Sequence, residues 1–117
     1  MPRRAPNVDR LPPGPELDAL VAEMVMGWKE LERRADRYWG KKPDRAGRLR
    51  RAAVDDFSSE PSAAYRLDER MAELGVLESY KNELARITRA RNLPADWASP
   101  DQRCRAAIRA VTNGKRK

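Results

Sequence analysis

Apolar residues recur at helical spacing near the start of the chain. Counted from the first of them, they occupy positions i, i+3, i+4, i+7, i+8 and i+11: Leu17, Leu20, Val21, Met24, Val25 and Trp28. This spacing puts all six on one face of a helix. Pro15 suits the first helical position, and acidic residues in the first turn suit the positive end of the helix dipole. The pattern predicts a helix over residues 15–28.

The segment that follows keeps the same spacing. Leu31, Ala35 and Tyr38 continue the series from Trp28, which predicts that the helix continues or restarts over residues 29–39. Gly40, Pro43 and Gly47 then interrupt the pattern. We therefore expect residues 40–56 to form a basic loop, with a short ordered piece at 49–54.

Three more helices are predicted in the second half of the chain. Apolar residues at i, i+3, i+7 and i+10 predict helices over 60–74 and 77–90, and Gly75 lies where a left-handed helix end is favoured. The last helix, over 100–112, has the clearest start. Ser99 is placed as its N-cap, Pro100 as its first residue and Gln102 as the partner that completes a capping box.

These elements predict a mainly α fold, a single small helical domain of four to five helices over residues 13–113. Leu, Ile, Val and Phe together number only 19 of the 117 residues, and Ala alone numbers 17. Because Ala has the highest helix propensity, this composition favours closely packed helices over strands. Residues 1–12, in the proline-rich start of the chain, are predicted to be a disordered arm, and residues 114–117 a basic tail.

The composition excludes several chemistries. The chain has no histidine and one cysteine, so it cannot form a Cys/His zinc site, a Ser-His-Asp triad, a Cys-His pair or an internal disulfide. No glycine-rich phosphate loop is present. The longest apolar stretch, residues 24–28, is far too short for a membrane span. We expect a cytoplasmic protein that is not an enzyme, needs no cofactor and has no contact with membranes.

The charge is divided into blocks. Residues 29–51 carry ten Lys and Arg against four acids, residues 52–75 carry two against six, and residues 99–117 carry six against one. A basic block of this kind can follow a phosphate backbone, and Trp39 could stack on a base. Charged helix faces are also commonly just solvated, and acids are interleaved here. The candidate phosphate or partner contacts are Lys29, Arg33 and Arg37, spaced i, i+4 and i+8, together with Arg45, Arg48, Arg50 and Arg51.

Other chemistry-bearing residues have simpler structural explanations. Asp55 and Asp56 could hold a cation, but no further spaced ligands are visible and acids are common just before a helix. Cys104 lies on the apolar stripe of the last helix, which favours a buried, inert thiol although two arginines flank it. Trp28 is expected to anchor the core, and Trp97 to pack on the last helix.

Three blocks of the sequence resemble the phage ABA sandwich domain family, small proteins of tailed phages and prophages. The blocks are residues 13–28 (PGPELDALVAEMVMGW), 57–75 (FSSEPSAAYRLDERMAELG) and 98–111 (ASPDQRCRAAIRAV). The resemblance implies an alternative fold, a reduced α-β-α sandwich of the α+β class. It also implies strands between the second and third blocks, where this chain is charged and helix-patterned. No activity and no site residues follow from it.

Two functions are consistent with the sequence. The first is a phage or prophage accessory protein that acts without catalysis, binding an acidic partner protein of the host or the phage by charge complementarity. The alternative is a basic protein that binds DNA or RNA phosphates through residues 29–51. The sequence specifies neither the partner nor the oligomeric state.

Overall fold

The structure is a computed structural model that describes residues 11–94 and 97–114. Helix α1 (Pro15–Met24) comes first, followed by strands β1 (Lys29–Arg34), β2 (Arg37–Pro43) and β3 (Leu49–Ala53). Helices α2 (Pro61–Glu73), α3 (Leu77–Arg89) and α4 (Pro100–Gly114) complete the chain. The fold has 50% helix and 18% strand and is therefore α+β.

The prediction of a mainly α fold is wrong. Residues 29–39, predicted as a helix, form the hairpin of β1 and β2, and the predicted loop over 40–56 contains the end of β2 and all of β3. None of the three strands contains a β-branched residue, and only β2 contains aromatic residues. Strand propensity is therefore weak in β1 and β3, and pairing between strands decides their conformation. The short ordered piece expected at 49–54 is strand β3.

The α+β class offered as the alternative is the one observed, but the strands lie elsewhere. The resemblance implies strands between the second and third blocks, and that interval contains helix α3. The sheet lies between the first and second blocks instead. The four remaining predicted helices have counterparts in α1, α2, α3 and α4, although α1 ends at Met24 and not at Trp28.

The sheet is a meander in which β2 pairs antiparallel with both neighbours. The register of β1 shifts between Lys29 and Glu32, where a bulge in β1 lies opposite Gly40. A β carbon at residue 40 would overlap the side chain of Leu31. Glycine at this position therefore lets Leu31 fold over the strand and reach the core.

Helix α4 lies at the centre of the helices and packs against α1, α2 and α3. Trp28 is only 2% exposed and anchors the core, as predicted. Trp97 differs from its prediction, because 69% of its surface is exposed. The largest fully buried side chains are Trp28, Tyr80, Phe57, Leu17, Leu67, Met71 and Ile108.

Candidate nucleic-acid interface

The sheet has one face against the helices and one face open to solvent. Cross-strand partners share a face, and successive residues of a strand alternate between faces. Leu31 and Tyr38 pack against the core, so Glu32 and its partner Trp39 point away from it. We call this open side the outer sheet face. Its charged and aromatic side chains are Lys29, Glu32, Arg34, Arg37, Trp39, Lys41 and Arg51.

The second hairpin of the sheet carries most of the positive charge. Residues 41–51, which we call the basic hairpin, contain six cations and one carboxylate. Every one of the six cations is exposed. Helix α1 packs on β1 and β2, and residues 45–48, the turn between β2 and β3, are all exposed. The six cations are Lys41, Lys42, Arg45, Arg48, Arg50 and Arg51.

The single carboxylate of the basic hairpin builds its turn. Asp44 accepts hydrogen bonds through Oδ1 from the backbone N–H groups of Ala46, at 2.9 Å, and Arg48, at 2.8 Å. Its own backbone N–H donates to the Arg48 carbonyl at 2.8 Å. Gly47 has φ = 81°, which a residue with a β carbon rarely adopts. Asp44 therefore shapes the tip of the hairpin, on which Arg45 and Arg48 are exposed.

The ion pairs of the basic hairpin lie at the surface and are weak. Arg51 pairs with Glu32 at 2.8 Å, Lys42 with Asp55 at 3.7 Å, Arg48 with Asp44 at 3.6 Å, and Lys41 with Glu30. Solvent screens such exposed pairs strongly, so a phosphate can replace the carboxylate at low cost. Two cations, Arg45 and Arg50, have no ion pair among the residues that the structure describes.

Glu32 is the acidic member of the outer sheet face. It accepts hydrogen bonds from Arg51 and Arg34, each at 2.8 Å. The hydrogen bond from Arg51 and the charge of Arg34 hold the pKa of Glu32 below its usual value. Glu32 is therefore ionised at neutral pH and holds the two guanidinium groups on either side of it on this face.

The structure brings together only some of the residues proposed from the sequence. Lys29 and Arg51 lie on the outer sheet face, and Arg45 and Arg48 lie in the turn of the basic hairpin. Arg50 lies opposite Lys42 in the register of β2 and β3, on the side of the sheet that faces the helices and near the turn of the basic hairpin.

Two of the proposed contacts lie away from the basic hairpin. Arg33 points toward α1, where it donates to Glu16 at 2.9 Å. Arg37 is the cross-strand partner of Arg34 at the end of the outer sheet face, where it lines a cleft beside Asp18 and Asp56. The helical row of Lys29, Arg33 and Arg37 expected from their spacing does not form, because these residues belong to two different strands.

Three exposed cations of the sheet were not predicted as contacts from the sequence: Arg34, Lys41 and Lys42. Their exposure follows from the β2–β3 pairing, which links Lys41 to Arg51 and Lys42 to Arg50. The signal available in the sequence was Asp44 followed by Gly47, residue types that are favoured in turns. Read as a turn between two basic runs, this signal predicts a hairpin.

A second cleft, of about 830 Å³, lies between the helices and is lined by residues of α2, α3 and α4. At its base Asp68 accepts a hydrogen bond from the Tyr80 hydroxyl at 2.5 Å and from Arg103 at 3.1 Å. Burial and the neighbouring Asp68 raise the pKa of Tyr80 far above its usual value. Tyr80 therefore stays protonated, and these three side chains tie α2, α3 and α4 together.

The remaining candidate residues have structural roles. Asp55 pairs with Arg66 at 3.2 Å. Cys104 is fully buried, and burial strongly raises the pKa of its thiol, which makes the thiolate rare. Within residues 11–94 and 97–114, no group of three Cys, Asp or Glu side chains could hold a metal ion. Each helix in this part of the chain is too short or too polar to cross a membrane.

Comparison with known proteins gave no matching family model, no matching curated protein and no matching solved structure. Function must therefore be inferred from the residues and their geometry.

Proposed function

We propose that this protein binds nucleic acid through its phosphate groups, without catalysis, and that the basic hairpin is the main contact. The observation that carries the proposal is the exposed hairpin itself, in which six cations accompany one carboxylate that is used to shape the turn. Four of the six are arginines, whose planar guanidinium groups match phosphate oxygens in a bidentate manner.

The distribution of charge supports a phosphate ligand. Lys41 and Arg51 are cross-strand partners on the outer sheet face, and Arg45 and Arg48 are exposed in the adjoining turn, so several cations can contact one sugar-phosphate backbone at once. Each contact releases counterions from the nucleic acid, which makes the affinity depend steeply on salt. The acidic residues 52–75 follow the sheet in sequence and would repel a polyanion from α2, which restricts it to the sheet.

A second candidate is a non-catalytic module that binds an acidic partner protein. The observation that favours it is the mixed charge of the outer sheet face, where ionised Glu32 lies between Arg34 and Arg51. Alternating charge of this kind can give specificity for a protein surface. Under both candidates we propose a phage or prophage accessory role, which rests on the three blocks of resemblance alone.

The test is binding of fluorescein-labelled DNA and RNA, measured by anisotropy across a salt series. The variant is the triple change Arg45→Gln, Arg48→Gln and Arg50→Gln, which removes three exposed charges and no buried contact. We expect its affinity at low salt to fall and the slope of log affinity against log salt to become shallower by about three, roughly one for each contact removed.

The matched control removes three exposed cations from the opposite part of the molecule. It carries Lys81→Gln, Arg89→Gln and Arg91→Gln on or just after α3, so its net charge equals that of the hairpin variant. We expect it to bind nearly as tightly as the unchanged protein. An equal loss in both variants would show that only net charge matters and would contradict the hairpin site. No binding even at low salt would favour the acidic protein partner.

A further inference from the structure

We infer that the outer sheet face is a stacking platform for unpaired bases and that the protein therefore prefers single-stranded DNA or RNA to duplex. This inference rests on the proposed function and names the form of nucleic acid that it recognises. It is carried by the position of Trp39, the one aromatic residue among the side chains that define this face.

Trp39 occupies the middle strand of the sheet and is partly exposed. Its cross-strand partner on β3 is Ala53, whose methyl group is too small to cover an indole ring. Its partner on β1 is Glu32, which is held by Arg34 and Arg51. The indole is therefore flanked by a small side chain on one strand and by a carboxylate on the other. The Glu32–Arg51 ion pair crosses β2 beside Trp39, so a base that stacks on the indole would displace this exposed pair and release Arg51 to a phosphate.

Cations lie one row further along the same face. Lys41 is two residues beyond Trp39 on β2, and Arg51 is its partner on β3. Two residues of a strand span about 6.6 Å, so a base on Trp39 would leave its phosphate within reach of these side chains. An aromatic ring beside a row of cations is the arrangement by which sheet proteins hold single strands.

Duplex does not fit this face equally well. Its bases are stacked on one another and cannot lie flat on an indole. The major groove admits a two-stranded ribbon, whereas Trp39 lies on the middle strand of three. Duplex would contact the basic hairpin alone, while a single strand would contact both the hairpin and Trp39.

The experiment compares three probes of equal length: a twelve-nucleotide oligo-dT, a twelve-nucleotide oligo-U and a twelve-base-pair duplex. Trp39→Ala should weaken binding of both single strands by about 5- to 150-fold, the range for loss of one stacked base. It should leave duplex binding unchanged. Trp39→Phe, which keeps an aromatic ring, should recover most of the affinity. Circular dichroism of each variant checks that the fold is retained.

Trp97→Phe is the matched control, because Trp97 is exposed but lies outside the sheet. Single strands should quench tryptophan fluorescence in this variant and not in Trp39→Phe, where the other indoles remain. If neither form of nucleic acid binds, the proposed function fails and this inference fails with it. If both forms bind through the hairpin arginines and Trp39→Ala has no effect on single strands, the inference alone is overturned.

Discussion

Asp18 is a carboxylate that the fold buries at a junction. It is only 6% exposed and accepts a hydrogen bond from the Ser58 backbone N–H at 2.7 Å. The Ser58 hydroxyl in turn accepts from the Gly14 N–H at 2.9 Å. These contacts join the start of α1 to the turn that precedes α2. Burial raises the pKa of Asp18 above its usual value, and the hydrogen bonds from Ser58 oppose this effect only in part.

We predict that Asp18→Asn changes how stability depends on pH. A carboxyl group whose pKa is higher in the folded state binds more protons there, so its contribution to stability falls as the pH rises above about 3.8, its ordinary value. The amide removes this dependence and keeps an oxygen that can accept from Ser58. Urea titrations at pH 4 and pH 7 should show the wild type losing stability relative to the variant at the higher pH.

The control for this prediction is Glu23→Gln, which neutralises an exposed carboxylate on the same helix. Its stability relative to the wild type should not rise with pH in this way. A wild type that gains stability relative to Asp18→Asn between pH 4 and pH 7 would contradict the raised pKa, because it would show that hydrogen bonding outweighs burial.

At the scale of elements, the sequence predicted the helices but not the strands. A helix is determined by local spacing, and the stripes of α2, α3 and α4 are complete within single segments. A strand depends on a partner in another segment, such as Glu32 with Trp39 for β1 and Trp39 with Ala53 for β2. Leu31 and Tyr38 lie seven residues apart. This spacing fits two side chains on one face of a helix, and it also fits side chains of two neighbouring strands that pack against the same core. Charged residues on both faces hid the alternation that normally marks a strand.

The sequence predicted a capping box at the start of α4, and the structure confirms it. The Gln102 N–H donates to the Ser99 hydroxyl at 3.4 Å, and the Gln102 side-chain oxygen accepts from the Ser99 N–H at 2.9 Å. We predict that Ser99→Ala lowers the free energy of unfolding by about 1 kcal/mol, because one N–H at the start of the helix loses its acceptor. Thermal melts and urea titrations measure this loss.

Two further variants separate capping from other effects. Ser99→Thr keeps a hydroxyl that can accept from the Gln102 N–H and donate to Asp101, and it should retain most of the stability. Ser62→Ala removes an exposed serine within α2 and should change the unfolding free energy by less than about 0.5 kcal/mol. Equal stability of Ser99→Ala and the wild type would show that the capping box does not stabilise α4.

At the scale of the whole molecule, the positive block 29–51 lies in the sheet, and most of the buried core lies among the helices. The helices form a body around α4, and the sheet joins that body through α1. The positive block 29–51 could be predicted, because the charges of a segment can be counted from its sequence alone. Its separation into an outer sheet face, a basic hairpin and two arginines near α1, Arg33 and Arg37, was not visible, because cross-strand pairing decides which side chains share a face.

This division predicts a gradient of local stability. Amides of the basic hairpin lie in a ladder whose side chains are exposed on both sides, whereas α4 contains the fully buried residues Cys104 and Ala107. Local opening requires less free energy where few apolar contacts are broken. Hydrogen exchange followed by mass spectrometry should therefore show fast exchange over residues 41–51 and the slowest exchange in the middle of α4.

Adding oligo-dT at low salt should slow exchange in the basic hairpin and around Trp39 and leave α3 unchanged. A ligand that binds only the native hairpin must stabilise it against opening, by an amount that grows with ligand concentration. Slower exchange confined to the cleft between α2 and α3 would place the nucleic acid on the helices and would contradict a site on the sheet. Exchange in the free hairpin as slow as that in α4 would show that the sheet and the helices unfold as one unit, which would contradict the gradient.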